Sequence, residues 1–343
     1  MTQKQQFIEQ INKKKDDLFA ILDKFTALKL LVVGDLTLDE FMTGEVERLS
    51  REAPVLILRH EETRQIPGGG ANAVYNLAKL GAKITVAGYV GDDIQGEALM
   101  DIFHQAHIDT QGIIKDNQRP TVTKTRIAGH ARQSVTQQIV RIDRKSDQLP
   151  APSLQHKLAD FIKNYGSVVD GIVCSDYGDG VFTPTVIAPS LKHDLVVVDT
   201  QKDLHRFQGA TIFTPNLPEA ELAVGYAIPD EVTLLQAGKD LLQQTNARYI
   251  LITRGEEGMS LFSRDGKIDH IPAFNRTDVF DVTGAGDTVV SALSLALACG
   301  ATPWEASILG NLAASIVVRV FGTATTSTTA MKEALTVYLD DNL

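Results

Sequence analysis

The segment Asp-Val-Thr-Gly-Ala-Gly-Asp at residues 281–287 holds two carboxylates, six residues apart, around a turn of small side chains. An apolar run follows and predicts a buried helix, whose first backbone N–H groups attract an anion. Phosphoryl transfer needs such an anion site and a carboxylate that accepts the hydroxyl proton, whereas a plain helix N-terminus, where Asp is also common, needs neither. We therefore predict that Asp287 is a general base. The anion is predicted to lie against Gly284, Ala285 and Gly286.

A second turn of small residues, Pro-Gly-Gly-Gly-Ala-Asn at residues 67–72, also precedes a predicted helix. Its glycines allow a ligand to lie against the backbone, and Asn72 can both donate to and accept from sugar hydroxyls. The turn lacks the G-x-G-x-x-G spacing of a dinucleotide site, and the chain contains no Gly-Lys-Ser or Gly-Lys-Thr of a Walker loop. The predicted substrate-binding residues of this turn are Gly68, Gly69, Gly70 and Asn72.

Two further segments carry polar groups suited to a nucleotide and its metal. Thr-Pro-Asn-Leu-Pro-Glu at residues 214–219 places an amide, Asn216, and a carboxylate, Glu219, three residues apart. This pair could hold Mg²⁺ through water. Thr253 and Gly255 follow another apolar run, at a place where a nucleotide phosphate could lie.

Short apolar runs that alternate with helical stretches must position these groups. Strand and helix alternation predicts an α/β fold with a mostly parallel sheet and helices on both faces. Ligands of such sheets bind at the carboxyl ends of the strands. Polar residues that fall at these ends are Asp35, Asp176, Asp199, Asn216 and Thr253. Among them, Asp176 is predicted to contact the substrate.

Two regions depart from the alternation. Residues 41–66 and 120–143 contain short, polar-alternating strands with no helix between them, so they predict a small β-sheet set apart from the main body. Near the N-terminus, apolar residues at helical spacing predict an amphipathic helix. We therefore predict a helix within residues 1–28 and one α/β body from 29 to 343 that carries the discontinuous small sheet.

The composition limits the class of partner and compartment. The 343 residues carry a formal net charge of -10 without a long basic run, which argues against duplex nucleic acid or an anionic membrane as partner. The N-terminus lacks the apolar core of a signal peptide, and no segment is apolar enough to span a membrane. Cys174 and Cys299 lie in apolar stretches, as buried thiols of a reducing compartment do. These features predict a cytoplasmic protein.

Together, the Gly-Gly-x-x-Asn type segment at 68–72 and the D-x-T-G-A-G-D segment at 281–287 resemble the ribokinase-like (PfkB) carbohydrate kinases. The resemblance extends from about residue 29 to 335. It implies a three-layer α/β/α domain, ATP and Mg²⁺ as co-substrate and metal, and a β lid that often forms a homodimer contact. Asp287 would be the base, with Gly284, Ala285 and Gly286 as its anion hole.

The same resemblance assigns the other site residues. It implies that Asp39, Gly68, Gly69 and Asn72 contact the sugar, and that Asn216 and Glu219 form the N-x-x-E element. Nucleotide contacts are implied for Asn216, Thr253, Gly255 and Asn311. Some family members bind a monovalent cation such as K⁺, and the matching positions are Asp281, Thr283 and Gly322.

Within the family, segments such as LSREAPV, QQIVRIDR and SDYGDG most resemble the kinases that phosphorylate O1 of D-glycero-D-manno-heptose 7-phosphate. The phosphate of such a substrate needs cations, for which the lid supplies Lys124, Arg126 and Arg141. Two departures lie at residues 199–201, which read Asp-Thr-Gln in place of Asp-Pro-Lys, and at 130–136, where the lid turn is longer.

Other functions compete with this one. The alternative enzyme is a family kinase for another sugar, sugar phosphate or sugar acid, such as ribose, fructose or ketodeoxygluconate. A non-catalytic sugar- or nucleotide-binding regulator is disfavoured by the intact Asp287 and its turn. A dehydrogenase is disfavoured because its dinucleotide fingerprint is missing.

Overall fold

A computed structural model of the protein describes residues 3–131, 135–275, 279, 281–320 and 322–342. Its strands in chain order are β1 (Lys29–Gly34), β2 (Leu36–Leu49), β3 (Leu56–Gly69), β4 (Lys83–Gly91), β5 (Asp109–Asp116), β6 (Val122–His130), β7 (Gln137–Arg144), β8 (Gly171–Asp176), β9 (Val196–Thr200), β10 (Ile212–Phe213), β11 (Tyr249–Thr253), β12 (Met259–Ser263) and β13 (Ile268–Ile271). Its helices are α1 (Gln3–Lys24), α2 (Gly70–Lys79), α3 (Ile94–Gln105), α4 (Pro152–Tyr165), α5 (Pro184–Ser190), α6 (Leu217–Val224), α7 (Glu231–Thr245), α8 (Ala285–Ala298), α9 (Pro303–Val317) and α10 (Thr328–Asp340).

Nine of these strands form the central sheet, in the order β13-β12-β11-β10-β9-β8-β1-β4-β5. Every neighbouring pair from β11 to β5 is parallel, and only β12 and β13 run antiparallel at one edge. The predicted mostly parallel sheet is confirmed. Strands β5, β12 and β13 were not predicted. Polar residues shorten the apolar runs that mark the inner strands, and β12 and β13 form a hairpin instead of alternating with helices.

Helices cover both faces of the central sheet. Successive residues of β1 alternate between two cores, since Leu30 and Val32 pack into one cluster and Leu31 and Val33 into the other. The first cluster contains residues of α1, α2, α3, α8, α9 and α10, and the second contains residues of α4, α5, α6 and α7. Strands buried on both faces therefore read as continuous apolar runs, and the predicted three-layer α/β/α architecture is confirmed.

The small sheet predicted beside the main body has the order β3-β2-β6-β7. It extends further than residues 41–66 and 120–143, because β2 already begins at Leu36 and β3 ends at Gly69. Thr37 pairs with Gly68 and Leu36 with Gly69, so the glycine turn is the end of a lid strand and not a separate loop. Of the lid turn at 130–136, residues 132–134 lie outside the described residues.

Within the part of the chain that the structure describes, no helix has both the length and the apolar character needed to cross a bilayer.

Helix α1 packs on the main body and not apart from it. Its apolar face belongs to the same core as α8, α9 and α10. The Phe7 ring lies 6.0 Å from that of Phe274, and Lys14 Nζ lies 3.2 Å from Glu305 Oε1. These contacts suggest that α1 unfolds together with the domain.

Replacing Ile11, which is fully buried on α1, by Ala tests this coupling. The lost contacts and the cavity should lower the free energy of unfolding by about 2–5 kcal/mol. Chemical denaturation would measure the change, and Lys13→Ala, whose side chain is exposed on the same helix, is the matched control. A change no larger than that of the control would show that α1 is an independent appendage.

Candidate active site

Asp287 lies in the first turn of α8, and its residue is only 6% exposed. Gly284 precedes the helix with a φ of +78°, a conformation that favours glycine. A Cβ at Gly284 would lie 2.8 Å from Asn72 Nδ2. Both observations explain why the turn of small residues is needed: it lets the start of α8 approach Asn72 of α2.

The predicted anion site lies at this helix start. Ala285 N–H donates to Val282 O, whereas the described residues offer no hydrogen-bond acceptor to the N–H of Gly286. A Cβ at Gly286 would meet no atom within 4 Å, so space is open beside that amide. Unpaired N–H groups and the dipole of α8 make this space favourable for a phosphate.

Two donors hold the Asp287 carboxylate. Asn72 Nδ2 donates to Asp287 Oδ2 at 2.7 Å, and Tyr177 Oη donates to Oδ1 at 3.0 Å. The amide of Asn72 is itself fixed, because its Oδ1 accepts from Asn76 Nδ2 at 3.2 Å. The carboxylate is therefore positioned by α2 and by the loop after β8.

The electrostatic environment suits a proton acceptor near neutral pH. Burial raises the pKa of Asp287 to about 6, the hydrogen bonds from Asn72 and Tyr177 oppose that rise, and the charge of Asp39 adds to it. Lys124 opposes it further. A carboxylate with this pKa is ionised at pH 7 yet more basic than an exposed one.

The loop that carries Tyr177 is fastened by Asp35 at the end of β1. Asp35 Oδ2 accepts from the N–H of Tyr177 and Asp179, at 2.8 and 3.1 Å, and Oδ1 accepts from Val181 N–H at 3.0 Å. Burial and the nearby charge of Asp176 raise the pKa of Asp35 to about 7, against the effect of these bonds. Sequence reasoning placed Asp35 at a strand end but missed Tyr177, although Asp-Tyr-Gly-Asp-Gly after β8 was a usable signal.

The glycines of the second turn place Asp39. A Cβ at Gly68 would lie 2.5 Å from Asp39 Oδ2, and Gly69 has a φ of +52°. Gly70 begins α2 so close to β1 that a Cβ there would lie 2.9 Å from Asp35 O. The structure thus brings Asp39, Gly68, Gly69, Gly70 and Asn72 to the same end of the sheet as Asp287.

The predicted lid cations have different surroundings. Lys124 Nζ lies 5.7 Å from the centre of the Tyr177 ring. Arg126 Nη1 donates to Asp39 Oδ1 at 2.7 Å, so its charge is largely neutralised. Arg141 is exposed on β7 and makes a bidentate contact with Asp143. The predicted roles of all three in substrate binding stay predictions.

Asp176 has several protein partners. Its carboxylate pairs with Arg206, accepts from Thr200 Oγ1 at 2.9 Å and accepts from Gly178 N–H at 3.0 Å. These bonds shape the loop after β8. Direct contact between Asp176 and a substrate stays a prediction.

The predicted nucleotide residues gather at the ends of β10 and β11. Asn216 and Thr253 form a parallel β-bridge, and Thr253 N–H donates to Pro215 O at 3.0 Å. Gly255 follows with a φ of +56° and open space beside it. On the neighbouring helix α9, Asn311 Nδ2 donates to Pro272 O at 2.8 Å.

Asn216 and Glu219 form a capping box at the start of α6. Asn216 Oδ1 accepts from Glu219 N–H, and Glu219 Oε2 accepts from Asn216 N–H, each at 2.9 Å. Burial raises the pKa of Glu219, and its bonds with Asn216 oppose the rise. The pair therefore has a structural role that exists whether or not it also serves a metal.

Asp199, in the segment that departs from Asp-Pro-Lys, faces the same acidic region. Burial raises its pKa well above the usual range, and the charges of Asp287 and Glu219 raise it further. Its Oδ1 accepts from Thr214 Oγ1 at 3.2 Å. Asp199 thus lies within electrostatic reach of both the base and the N-x-x-E element.

The three residues matched to a monovalent cation site are also brought together. Asp281 Oδ1 accepts from Thr283 N–H and Oδ2 accepts from Gly322 N–H, each at 2.9 Å. Burial would raise the pKa of Asp281, but these hydrogen bonds outweigh it and lower the pKa. Asp281 is therefore an ionised group that ties the start of the α8 turn to the loop after α9.

The family model described as pfkB family carbohydrate kinase matches residues 28–330. Among curated proteins, the bifunctional protein HldE of Geobacter metallireducens is 44% identical over 323 residues, which are 92% of this chain and 64% of that protein. HldE of Geobacter sulfurreducens is 43% identical over 309 residues, with 88% and 61% covered. This chain thus spans less than two thirds of the length of these relatives.

Solved structures share the fold at low sequence identity. Phosphofructokinase-2 from Escherichia coli in complex with potassium superposes with a TM-score of 0.74 at 17% identity, covering 91% of this chain and 99% of that one. Ribokinase of Arabidopsis thaliana complexed with ribose and ATP has a TM-score of 0.68 at 18% identity, covering 91% and 98%. These similarities show a common architecture.

Removing the Tyr177 hydroxyl should change the titration of Asp287. Because that hydroxyl lowers the pKa of Asp287, Tyr177→Phe should raise the pKa above about 6. A carboxyl-labelled NMR titration of Asp287 would measure the shift. Tyr226→Phe, which removes a comparable hydrogen bond to the remote Asp240, is the control. An unchanged or lower pKa in Tyr177→Phe would contradict the role assigned to this hydroxyl.

Proposed function

The chain belongs to the pfkB family of carbohydrate kinases, and on this premise we propose that it transfers the γ-phosphate of ATP to a sugar hydroxyl. The observation that carries the proposal is the position of Asp287. It lies inside the first turn of a buried helix, beside open backbone amides, and is held by donors from two other elements. A plain helix start would require neither the burial nor the two donors.

Each part of this arrangement has a role in the transfer. Asp287 accepts the proton of the attacking hydroxyl, for which a pKa of about 6 is well placed. The amides at the start of α8, in the Gly284–Gly286 turn, stabilise charge on the transferring phosphoryl group. Asn72 and Tyr177 keep the carboxylate aimed, so that the hydroxyl need only bind in one orientation.

The proposed acceptor is O1 of D-glycero-D-manno-heptose 7-phosphate. The support is the identity of 43–44% to the HldE proteins over most of this chain, together with the sequence segments that resemble heptose-phosphate kinases. Other acceptors within the family are ribose, fructose and ketodeoxygluconate. Asp39, Gly68 and Asn72 would contact the hydroxyls of any of these sugars.

ATP and Mg²⁺ are the proposed co-substrate and metal. Mg²⁺ neutralises phosphate charge and commonly keeps several waters, using only one or two carboxylates. Burial raises the pKa of Asp199 and the charges of Asp287 and Glu219 raise it further, and a cation bound near these carboxylates would offset their charge. Asn216, Thr253, Gly255 and Asn311 would hold the nucleotide. Asp281, Thr283 and Gly322 are the proposed place of a monovalent cation such as K⁺.

We place the enzyme in the cytoplasm, as a homodimer joined through the lid. Free Cys174 and Cys299 are consistent with a reducing compartment that supplies ATP. The edge strand β7 is exposed along its whole length, with Ile139 and Ile142 on its surface, and so offers apolar side chains and unpaired backbone groups to a second copy.

Asp287→Asn keeps the shape of the side chain and removes its capacity to accept a proton. We expect kcat to fall by roughly 10²–10⁴, with little change in ATP binding. ADP release coupled to a panel of sugars and sugar phosphates would measure the rate and identify the acceptor. Asp101→Asn, exposed on α3, is the control. If Asp287→Asn keeps more than half of the activity, Asp287 is not the base.

Glu219→Gln separates the metal role from the capping role. Gln can maintain the capping box, so the melting temperature should change little. Loss of the carboxylate should raise the Mg²⁺ concentration required for half-maximal rate several-fold. Glu221→Gln on the same helix is the control. An unchanged Mg²⁺ requirement, with or without a lower melting temperature, would show that Glu219 only caps α6.

A further inference from the structure

Three arginines and a phenylalanine form one row across the four strands of the lid. Phe41 on β2 is directly opposite Arg64 on β3 and Arg126 on β6, and Arg126 is opposite Arg141 on β7. Residues opposite each other on neighbouring strands point to the same face of a sheet. The lid therefore concentrates positive charge along a single line on one face.

This face is the one that carries Asp39. Asp39 and Phe41 are two residues apart on β2, so their side chains point the same way. The charge of Asp39 raises the pKa of Asp287, which places Asp39 within electrostatic reach of the base. Lys124, opposite Asp39, lies over the Tyr177 ring at the reacting end of the site. The arginine row is one step farther along the lid strands.

The charges in the row do not balance. Arg126 is paired with Asp39 at 2.7 Å and Arg141 with Asp143 at 2.8 Å. For Arg64, the described part of the chain provides no carboxylate within ion-pair distance. The row therefore holds one positive charge more than its carboxylates neutralise.

The unpaired guanidinium is held in place by other contacts. Arg64 Cζ lies 5.7 Å from the centre of the Phe41 ring, and Arg126 Cζ lies 5.1 Å from the same centre. Arg64 Nη2 also comes within 4.0 Å of the position that a Cβ at Gly322 would occupy. The Arg64 residue is exposed, and its guanidinium reaches from the lid to the loop that Asp281 ties to the α8 turn.

We propose that Arg64 and Arg126, which flank the Phe41 ring from the two neighbouring strands, bind the phosphate that the sugar substrate already carries. Two guanidinium groups offer planar, directed donors to a phosphate dianion. The surplus charge of Arg64 is what that dianion would neutralise, while Asp39 keeps Arg126 in position. This inference rests on the proposed kinase function and specifies its substrate as a sugar phosphate, with Arg64 as the residue that sets this preference.

The competing role for Arg64 is contact with the transferring phosphoryl group. The transferring phosphoryl group already has the amides at the start of α8 beside Asp287. Arg64 instead lies near the Phe41 ring together with Arg126, and Arg126 is bound to Asp39, which is predicted to contact the sugar. The row therefore belongs to the sugar side of the cleft. The two roles predict different kinetics.

Arg64→Met removes the charge and keeps an unbranched side chain, and Arg64→Lys keeps the charge without the planar fork. The matched control is Arg59→Met, which is exposed on the same strand, as Arg64 is, but is paired with Glu45. Steady-state rates would be measured with D-glycero-D-manno-heptose 7-phosphate and with the unphosphorylated heptose. Thermal melting of each variant would verify that it is folded.

Arg64→Met should lower kcat/KM for the heptose phosphate about tenfold to a hundredfold more than for the free heptose, as expected for a lost charge-assisted hydrogen bond. The KM for ATP should stay within about twofold, Arg64→Lys should recover part of the loss, and Arg59→Met should resemble the wild type. Equal losses for both sugars, or a raised KM for ATP, would overturn the inference and place Arg64 at the transferring phosphate.

A binding measurement keeps this inference separate from the proposed function. Calorimetry on the Asp287→Asn background would follow heptose 7-phosphate, with inorganic phosphate as a competing probe, without any turnover. Weaker binding of both by tenfold or more in Arg64→Met would support the phosphate site. Unchanged binding would refute it, even if the wild type proves to be a sugar kinase. If the wild type transfers phosphate to no sugar, the kinase proposal fails on its own.

Discussion

The buried carboxylate of Asp287 is the constraint on which the rest of the site depends. Burial makes ionisation of this group costly, and hydrogen bonds from Asn72 and Tyr177, together with the charge of Lys124, offset part of that cost. These donors come from α2 and from the loop after β8, so three distant parts of the chain must meet at one carboxylate. The close approach of α8 to α2 is possible because Gly284 has no Cβ, which would lie only 2.8 Å from Asn72 Nδ2.

A second layer of buried charge maintains this geometry. Asp35 accepts hydrogen bonds from three backbone N–H groups of the Tyr177 loop. Asp176 forms an ion pair with Arg206 and accepts hydrogen bonds from Thr200 and Gly178 just beyond that loop. Both carboxylates lie at the ends of parallel strands, where the strand order places β1 beside β8. The sheet therefore contributes to the site by holding the loop that orients the base as well as by presenting side chains.

The lid connects to the same constraint through its strands. Because β3 ends in Gly68 and Gly69 and α2 begins at Gly70, the strand that carries Arg64 leads directly into the helix that holds Asp287 through Asn72. Asp39 on β2 is packed against Gly68 and bound to Arg126. The position of a substrate that contacts the lid face would therefore be fixed relative to Asp287 in two ways: β3 continues directly into α2, and Asp39 forms an ion pair with Arg126.

Structural features that depend only on neighbouring residues in the chain could be predicted from the sequence. The glycine turns, the apolar runs of β1, β4, β8 and β11, and the Asn-x-x-Glu spacing depend on neighbouring residues, and the mostly parallel sheet with a separate small sheet follows from them. Even so, Asn216 and Glu219 cap each other in the fold, which their spacing allowed but did not distinguish from a metal role.

Which partners the charged side chains find was decided only by the tertiary structure. Asn72 and Asp287 are 215 residues apart in the chain, and Tyr177 and Asp287 are 110 apart, so no local pattern could pair them. Lys124 and Arg126 are two residues apart on β6 and so lie on one face. The register of β2 with β3 and β6 determined that Arg126 is neutralised by Asp39 and that Arg64 is not. Strand register sets cross-strand contacts, and a slip of one residue would have turned every one of these side chains to the other face.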